Sequence, residues 1–165
     1  MPQRHPSAKA PRSRAESRAD WLRLDRQLCF ALYSASLAMT KLYRPLLEPL
    51  ALTYPQYLVM LVLWEGDGIA VSQLGERVAL DSGTLTPLLK RLEASNLVRR
   101  LRDAADERRV LVQLTPAGRG LKAKAVAVPE QVACASGCEL DELAALTTRL
   151  KALRDQINAS NPHAA

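Results

Sequence analysis

Cysteine is the residue type in this 165-residue sequence best suited to covalent chemistry. Cys29 stands near the start, and Cys134 and Cys138 stand close together in the run ACASGC. The only histidines, His5 and His163, lie in polar terminal segments, which disfavours Ser/His/Asp catalysis, Cys/His dyads and histidine-based metal sites. Three cysteines are too few for a zinc site without histidine ligands, and in a reducing compartment they do not form a disulfide scaffold. The chemistry that remains is thiol oxidation.

Composition indicates one folded domain without a common cofactor. Hydrophobic residues make up 48% and charged residues 24% of the chain, as in ordinary globular proteins. There is no GxGxxG or GxxxxGK[ST] motif, so neither a dinucleotide nor a nucleoside triphosphate is expected. The longest uncharged stretch, Pro49 to Trp64, has 16 residues and two prolines, too few for a membrane span. The N-terminus lacks an apolar signal region, and a cytoplasmic location is expected.

Positive charge is concentrated in two segments. The formal net charge is +6, which favours an anionic partner. Residues 1–20 carry five Lys/Arg against two Asp/Glu, and residues 84–114 carry seven against four. The first segment is predicted to be a disordered basic tail and residues 159–165 a disordered C-terminal tail. The second segment lies within the predicted folded domain, residues 21–158.

Two helices are predicted in the N-terminal half. Apolar residues at helical spacing predict a long helix from Trp21 to about Pro49, bent before Pro45. The segment Thr53–Gln56 has the form of a capping box with proline in the first turn. The apolar run that follows to Trp64 is therefore predicted to be a buried helix.

Two shorter helices separated by a tight turn follow an extended segment, Ile69–Val71. Ser72 is the predicted cap of the first, which runs through Ala79, and Asp81 is the predicted cap of the second. Apolar residues of the second recur at i, i+3, i+4 and i+7: Leu85, Leu88, Leu89 and Leu92. This spacing buries one face and leaves the other toward solvent, as in a helix-turn-helix.

The C-terminal half predicts a β-hairpin and two more helices. The β-prone runs Leu97–Leu101 and Arg109–Leu114 bracket the charged loop Arg102–Arg108. The two helices are predicted from Thr115 to about Val132 and from Glu139 to Ile157. The fold class is therefore mainly α with a small β wing: a winged helix-turn-helix with extra helices at both ends.

Four stretches of the chain resemble a known family. DSGTLTPLLKRLE followed by DERRVLVQLTPAG resembles the MarR family of bacterial transcriptional regulators. QLCFALYSASLAMTKLY and LTYPQYLVMLVLWE are similar to its organic-hydroperoxide-responsive, OhrR-type branch. The resemblance covers roughly Leu22 to Ile157. It implies a non-enzymatic homodimer on a pseudo-palindromic double-stranded DNA operator, with residues 69–114 as the DNA-binding lobe and residues 21–50 and 115–158 as dimerisation helices.

The resemblance also implies where DNA would be contacted. The second helix of the helix-turn-helix fits a major groove, and its outward residues are Ser82, Thr84, Thr86, Pro87, Lys90 and Arg91. The arginine that matches the family's minor-groove contact is Arg108, with Asp106 orienting it and Arg109 nearby. For Arg99, Arg100 and Arg102, phosphate contact and a solvated strand edge both remain open.

Cys29 matches the peroxidatic sensor of the hydroperoxide branch, although an unpaired cysteine between Leu28 and Phe30 is more often a small core hydrophobe. The sensor reaction is attack of a thiolate on an O–O bond, giving a sulfenic acid and an alcohol. The family's matching phenols are Tyr43 and Tyr54. In a continuous helix Tyr43 lies about 21 Å from Cys29, so it must reach the sensor of another chain unless the helix breaks.

Several roles stay open at this level. Tyr33, at i+4 from Cys29, is the local phenol and a further candidate for the sensor pocket. Cys134, predicted just past the fifth helix, matches the resolving thiol of the two-cysteine subtype, and Cys138 is the alternative. A flexible joint at Ser136–Gly137 would let the segment that carries the resolving cysteine move to Cys29. This movement would rotate the DNA-reading elements and weaken operator binding. The resemblance implies that a peroxide-detoxification gene is then derepressed.

Three other functions fit parts of the sequence. A MarR-type repressor could be released by a small aromatic ligand without covalent chemistry. A thiol peroxidase could cycle between Cys29 and Cys134, but the alternating βα pattern usual for such enzymes is absent from the sequence. A DNA-binding architectural protein would use neither cysteine.

Overall fold

A computed structural model describes residues 20–160. Within that range the chain falls into two compact units, one ending at Thr40 and the other beginning at Lys41. The predicted tails lie outside the described residues, apart from Asp20 and the pair Ala159 and Ser160. The last two are helical, so the C-terminal tail prediction began too early.

The first unit contains a short 3-10 turn, Leu24–Arg26, and the start of helix α1, Leu28–Leu47. The prediction that the helix begins at Trp21 is wrong, because Gln27 has extended backbone angles and separates the two elements. Its carbonyl accepts the N–H of Ala31 at 3.0 Å and so begins α1. Cys29 therefore lies in the first turn of α1 rather than well inside a helix.

The second unit is built around helix α2, Tyr54–Glu65, which follows the 3-10 turn Glu48–Leu50. The predicted cap is present, because the Gln56 side-chain oxygen accepts the backbone N–H of Thr53 at 2.8 Å. Six residues of α2 are buried: Gln56, Tyr57, Val59, Met60, Val62 and Leu63. The helix α2 is therefore largely buried, as predicted.

The helix-turn-helix consists of α3, Val71–Val78, and α4, Ser82–Ala94. Ser72 is not the cap of α3, because Ala70 occupies that position and the helix starts two residues earlier than predicted. Asp81 caps α4 as predicted. The four predicted leucines of α4, at positions 85, 88, 89 and 92, are all buried.

The wing is a three-stranded antiparallel sheet in the order β1-β3-β2. Its strands are β1, Ile69–Ala70, β2, Val98–Arg102, and β3, Val110–Leu114. Val112 lies at the centre of β3, opposite Ile69 on one side and Arg100 on the other, and is fully buried. The predicted hairpin and fold class are confirmed, with each hairpin strand starting one residue later than predicted.

Three helices complete the chain: α5, Pro116–Ala125, α6, Val128–Ser136, and α7, Leu140–Ser160. The prediction of one helix from Thr115 to about Val132 is wrong. Pro129 lacks the N–H that would bond to the carbonyl of Ala125, so the helix cannot continue unbroken and a new one starts. Cys134 consequently lies inside α6 rather than beyond it.

No single helix within residues 20–160 is both long and apolar enough to cross a membrane. Only Leu28–Leu50 and α2, taken together as a bent pair, reach that length and composition.

Two glycines of α5 provide a matched test of the packing. A Cβ on Gly118 would overlap the carbonyl oxygen of Leu97, whereas a Cβ on Gly120 meets nothing within 4 Å. Gly118→Ala should lower the free energy of unfolding by about 2 kcal/mol or more, because backbone must move. Gly120→Ala should raise it by about 0.5 to 1 kcal/mol through helix propensity. Urea denaturation measures both, and equal effects of the two substitutions would contradict the packing described.

Candidate nucleic-acid interface and thiol site

Helix α4 presents a polar face because its opposite face is buried. The Asp81 carboxylate fixes its start by accepting the Thr84 backbone N–H at 2.9 Å and the Thr84 hydroxyl at 2.8 Å. These two bonds, the hydroxyl first, hold the pKa of Asp81 below its ordinary value. All six predicted contact residues are exposed: Ser82, Thr84, Thr86, Pro87, Lys90 and Arg91.

Two hydroxyls on this face already donate hydrogen bonds within the protein. Thr84 donates its hydroxyl proton to Asp81, and Thr86 donates its own to the carbonyl of Ser82 at 2.7 Å. Phosphate oxygens accept hydrogen bonds, so either threonine would first have to release its internal acceptor. Within residues 20–160 the side chains of Lys90 and Arg91 have no internal hydrogen-bond acceptor to release. They are therefore the stronger candidates for phosphate contact.

The wing tip presents Arg108 in a fixed orientation. Its Nε lies 3.1 Å from Oδ1 of Asp106, which also accepts the Arg108 backbone N–H at 3.1 Å. This contact with Arg108 holds the pKa of Asp106 below its ordinary value. The Arg108 side chain is nevertheless 91% exposed. Arg109 lies 3.7 Å from Asp103. Asp106 and Arg108 are therefore in contact while the guanidinium stays exposed, and their role at DNA stays a prediction.

Arg100 joins the wing to the helix and is not a free cation. Glu93, in the last turn of α4, accepts the Arg100 backbone N–H at 3.0 Å and two guanidinium N–H groups at 2.9 and 2.6 Å. The pKa of Glu93 is lowered, first by the guanidinium and then by the backbone N–H. Sequence reasoning missed Glu93, although an acidic residue directly after the leucine stripe and before an arginine-rich strand was a usable signal.

A cavity of about 290 Å³ lies between the wing and the helix-turn-helix. Its polar lining is basic or hydroxylated: Ser72, Thr86, Arg100, Arg108 and Arg109. Arg99, by contrast, donates to the Gln113 side chain at 2.9 Å on the strand. The arrangement places hydroxyls and guanidinium groups around one concave surface, which suits an anionic backbone.

The predicted phenols Tyr43 and Tyr54 lie together in the second unit. Their ring centroids are 4.7 Å apart, and Tyr57 lies 5.9 Å from Tyr43. Burial, as the main cause, raises the pKa of all three phenols, so they remain protonated hydrogen-bond donors at neutral pH. Tyr57 was missed from sequence, although it follows Tyr54 at i+3, which places both on one side of α2.

The three cysteines are all free thiols. Cys29 is exposed in the first unit, which also holds Tyr33, and Cys134 is exposed on α6 in the second unit. Cys138 is half-buried, and its Sγ lies 3.6 Å from the carbonyl oxygen of Ser136. Between Cys134 and Cys138 the chain turns at Gly137, with φ of +66°. Within residues 20–160 no group of three or more His, Cys, Asp or Glu could hold a metal ion.

Comparisons with known proteins find similar sequences and structures over most of the chain. The family described as Transcriptional regulator SarA/Rot matches residues 41–125. The HTH-type transcriptional regulator TtmR of Methylorubrum extorquens is 54% identical over 153 residues, 91% of this chain and 78% of that protein. The organic hydroperoxide resistance transcriptional regulator of Bacillus subtilis is 45% identical over 146 residues, 88% of this chain and 99% of that protein.

A solved structure shows the same architecture on DNA. Reduced AbfR of Staphylococcus epidermidis bound to DNA superposes with a TM-score of 0.70 at 34% identity, covering 86% of this chain and 99% of that chain. The fold and the exposed face of α4 define a winged-helix DNA-binding protein. This chain belongs to the SarA/MarR-type winged-helix family of transcriptional regulators, as predicted. The family and these relatives are regulators rather than enzymes.

The bond between Glu93 and Arg100 predicts a pH-dependent contribution to stability. The pKa of Glu93 is lower in the folded protein than in the unfolded chain, so its ionised form stabilises the fold above the ordinary value of 4.5. That contribution disappears as the pH falls through the lowered pKa. Glu93→Gln should therefore lower the free energy of unfolding at pH 7, and the difference from wild type should shrink below pH 4.5. Urea titrations across pH measure this difference, and a constant value would contradict the described contact.

Proposed function

We propose that this chain is a redox-sensing transcriptional repressor. The reduced homodimer binds a pseudo-palindromic operator, and an organic hydroperoxide oxidises Cys29, releases the DNA and derepresses a peroxide-detoxification gene. The observation that carries the proposal is the pair of protonated, half-buried phenols, Tyr43 and Tyr54, at 4.7 Å. The similarity to the Bacillus organic hydroperoxide resistance regulator supports the same chemistry.

Binding to DNA uses two elements of the second unit. Helix α4 enters a major groove with Lys90 and Arg91 exposed on its outer face, and Arg108 at the wing tip enters the adjacent minor groove. In a two-fold dimer the two α4 helices must lie about 34 to 36 Å apart to engage successive major grooves. Any oxidation that changes this spacing weakens the binding of both half-sites together.

A homodimer is supported by exposed apolar side chains on the predicted dimerisation helices. Those of the first unit are Trp21, Leu22, Leu24, Leu28, Phe30, Leu32, Tyr33 and Leu37. Those of α7, a helix with no buried residue in the single chain, are Leu140, Leu146, Leu150 and Ile157. Runs of exposed apolar residues on this scale mark protein interfaces, and a second copy of the chain is the partner proposed.

The sensor pocket is proposed to form between two subunits. Fourteen residues separate Cys29 from Tyr43 in the sequence, a spacing that corresponds to about 21 Å in a continuous helix. The phenols that donate to Cys29 are therefore the partner's Tyr43 and Tyr54.

Oxidation proceeds in two balanced steps. The Cys29 thiolate attacks the terminal oxygen of the hydroperoxide, an S–O bond forms as the O–O bond breaks, and the alkoxide leaves and takes a proton from water to become the alcohol. The partner's Cys134 thiolate then attacks the sulfenic sulfur, an S–S bond forms, and hydroxide leaves as water. Cys134 is favoured over Cys138 because it is exposed, whereas the half-buried Cys138 thiol donates to the carbonyl of Ser136.

A non-reducing gel tests the assignment of the thiols. Purified reduced protein treated with cumene hydroperoxide should form a covalent dimer, and so should Cys138→Ser. Cys29→Ser and Cys134→Ser should remain monomeric on the gel, because each lacks one sulfur of the disulfide. A covalent dimer in Cys29→Ser would refute the sensor, and loss of the dimer only in Cys138→Ser would transfer the resolving role to that residue.

Phenol substitutions test the pocket separately from the disulfide. Tyr43→Phe and Tyr54→Phe should each slow oxidation of Cys29 about ten- to a hundredfold, because each removes one hydrogen bond to a charged group. Tyr33→Phe is measured in parallel, because Tyr33 lies one turn from Cys29 in the sequence: a wild-type rate in this variant would assign the pocket to Tyr43 and Tyr54 alone. Loss of free thiol over time after hydroperoxide addition measures the rate. Unchanged rates in both pocket variants would exclude the phenols from the reaction.

A further inference from the structure

Trp64, near the end of α2, connects that helix to α5. Its indole Nε1 donates to the carbonyl oxygen of Gly118 at 2.9 Å. In return, Lys122 donates from its Nζ to the backbone carbonyl of Trp64 at 2.8 Å. The two bonds run in opposite directions between the same pair of helices, so sliding or rotation of α5 along α2 must break at least one of them.

Asp67, three residues after Trp64 and just past the end of α2, connects this part of the chain to the wing. Its Oδ1 accepts the backbone N–H of Leu114, the last residue of β3, at 2.7 Å. Its Oδ2 accepts from the Arg119 guanidinium of α5 at 2.9 Å. One carboxylate thus holds a wing strand and α5 together. We call Trp64, Asp67, Arg119 and Lys122, with their backbone partners, the latch.

The latch contacts the phenol cluster on its other side. The Trp64 ring packs edge-on against Tyr57 at a centroid distance of 6.3 Å, and Tyr57 lies 5.9 Å from Tyr43. Tyr57 is only 2% exposed and cannot move without displacing its neighbours. A continuous series of packed rings and hydrogen bonds therefore runs from Tyr43 to the end of β3.

A cavity lies beside the latch. A cavity of about 330 Å³ is lined by Trp64, Asp67, Leu114, Arg119 and Lys122, together with neighbouring residues of α2. A tightly packed contact resists small displacements, whereas side chains that border a cavity can exchange between two packings. The participating groups are the same ones that connect α2, α5 and β3.

We infer that Trp64 and Asp67 are positioning residues that couple the phenols Tyr43 and Tyr54 to the wing. The inference rests on the proposed function for the identity of the signal, namely a change at the phenols when Cys29 is oxidised. The connection between the phenols and the wing does not depend on the proposed function. Coupling between two sites is reciprocal, so operator binding at the wing must also change the environment of the Trp64 side chain.

The first experiment tests the connection without any oxidant. The sequence has two tryptophans, Trp21 and Trp64, so Trp21→Phe leaves Trp64 as the single reporter. The reduced variant is titrated with a duplex that the protein selects from a random-sequence pool. We expect the tryptophan emission maximum to shift and to saturate with binding, and a non-selected duplex to give no shift at equal concentration.

Variants of the latch should remove this response. Asp67→Asn in the Trp21→Phe background should abolish the emission shift and raise the operator Kd about two- to thirtyfold, the range expected for coupling residues. Arg119→Gln, which removes one partner only, provides a second variant if the first does not fold. The matched control is Arg77→Gln: it breaks the ion pair with Glu65, beside Trp64, but leaves α5 and β3 untouched. That control should keep the wild-type shift.

The second experiment measures the transmitted signal. The ratio of operator Kd between oxidised and reduced protein is compared for wild type, Asp67→Asn and Trp64→Phe, with thermal melts showing that each is folded. Both latch variants should bring the ratio toward one. A wild-type emission shift in Asp67→Asn, together with wild-type ratios in both Asp67→Asn and Trp64→Phe, would overturn the inference. If oxidation leaves the operator Kd of the wild type unchanged, the proposed function is wrong. The emission titration of the reduced protein still tests whether the latch connects Trp64 to the wing.

Discussion

Burial of four leucines along one side of α4 is the constraint on which the DNA-reading face depends. Leu85, Leu88, Leu89 and Leu92 are each at most 8% exposed, and each contributes about 1.5 to 3 kcal/mol by leaving water. Rotating the helix by a single residue, about 100°, would expose part of this stripe and bury charged groups. The leucines therefore determine that Lys90 and Arg91 face outward, and Asp81 determines where the helix begins.

The helix and the wing form one reading element because a carboxylate joins them. Glu93 binds both the backbone and the guanidinium of Arg100, so the strand that carries the wing cannot move freely against α4. The basic charge of residues 84–114 is thus divided between two tasks. Arg100 is used inside the protein, and Arg108, oriented by Asp106, is presented outward. Net charge alone would have assigned all of these arginines to DNA.

Sequence periodicity predicted the parts of this fold that rest on local chemistry. The leucine stripe, the Asp81 cap and the hairpin were correct because spacing and side-chain type decide them. Helix boundaries were less predictable: α3 starts before Ser72, and the backbone at Gln27 interrupts the first helix. Pro129 is the residue in the sequence that signals the break in the helix from Thr115, because it cannot donate to the carbonyl of Ala125.

Contacts between distant parts of the chain could not be obtained from sequence spacing. Glu93 and Arg100 are seven residues apart on different elements, and Asp67 meets Arg119 from 52 residues away. Such pairs depend on the packing of α2, α5 and the sheet, which periodicity does not specify. Tyr43 and Tyr54 were identified through family resemblance, and only the structure showed that Tyr57 packs beside Tyr43 and that Trp64 packs beside Tyr57.

Cys29 is the thiol on which the proposed regulation depends. Fluorescence anisotropy of one labelled palindromic duplex, titrated with fully reduced and with hydroperoxide-oxidised protein at fixed salt, measures its effect most directly. Oxidised wild type should bind about five- to 150-fold more weakly, the usual range for coupled sites, while Cys29→Ser should bind equally with and without oxidant. Equal affinity of reduced and oxidised wild type would contradict the redox switch and leave a repressor that does not sense peroxide.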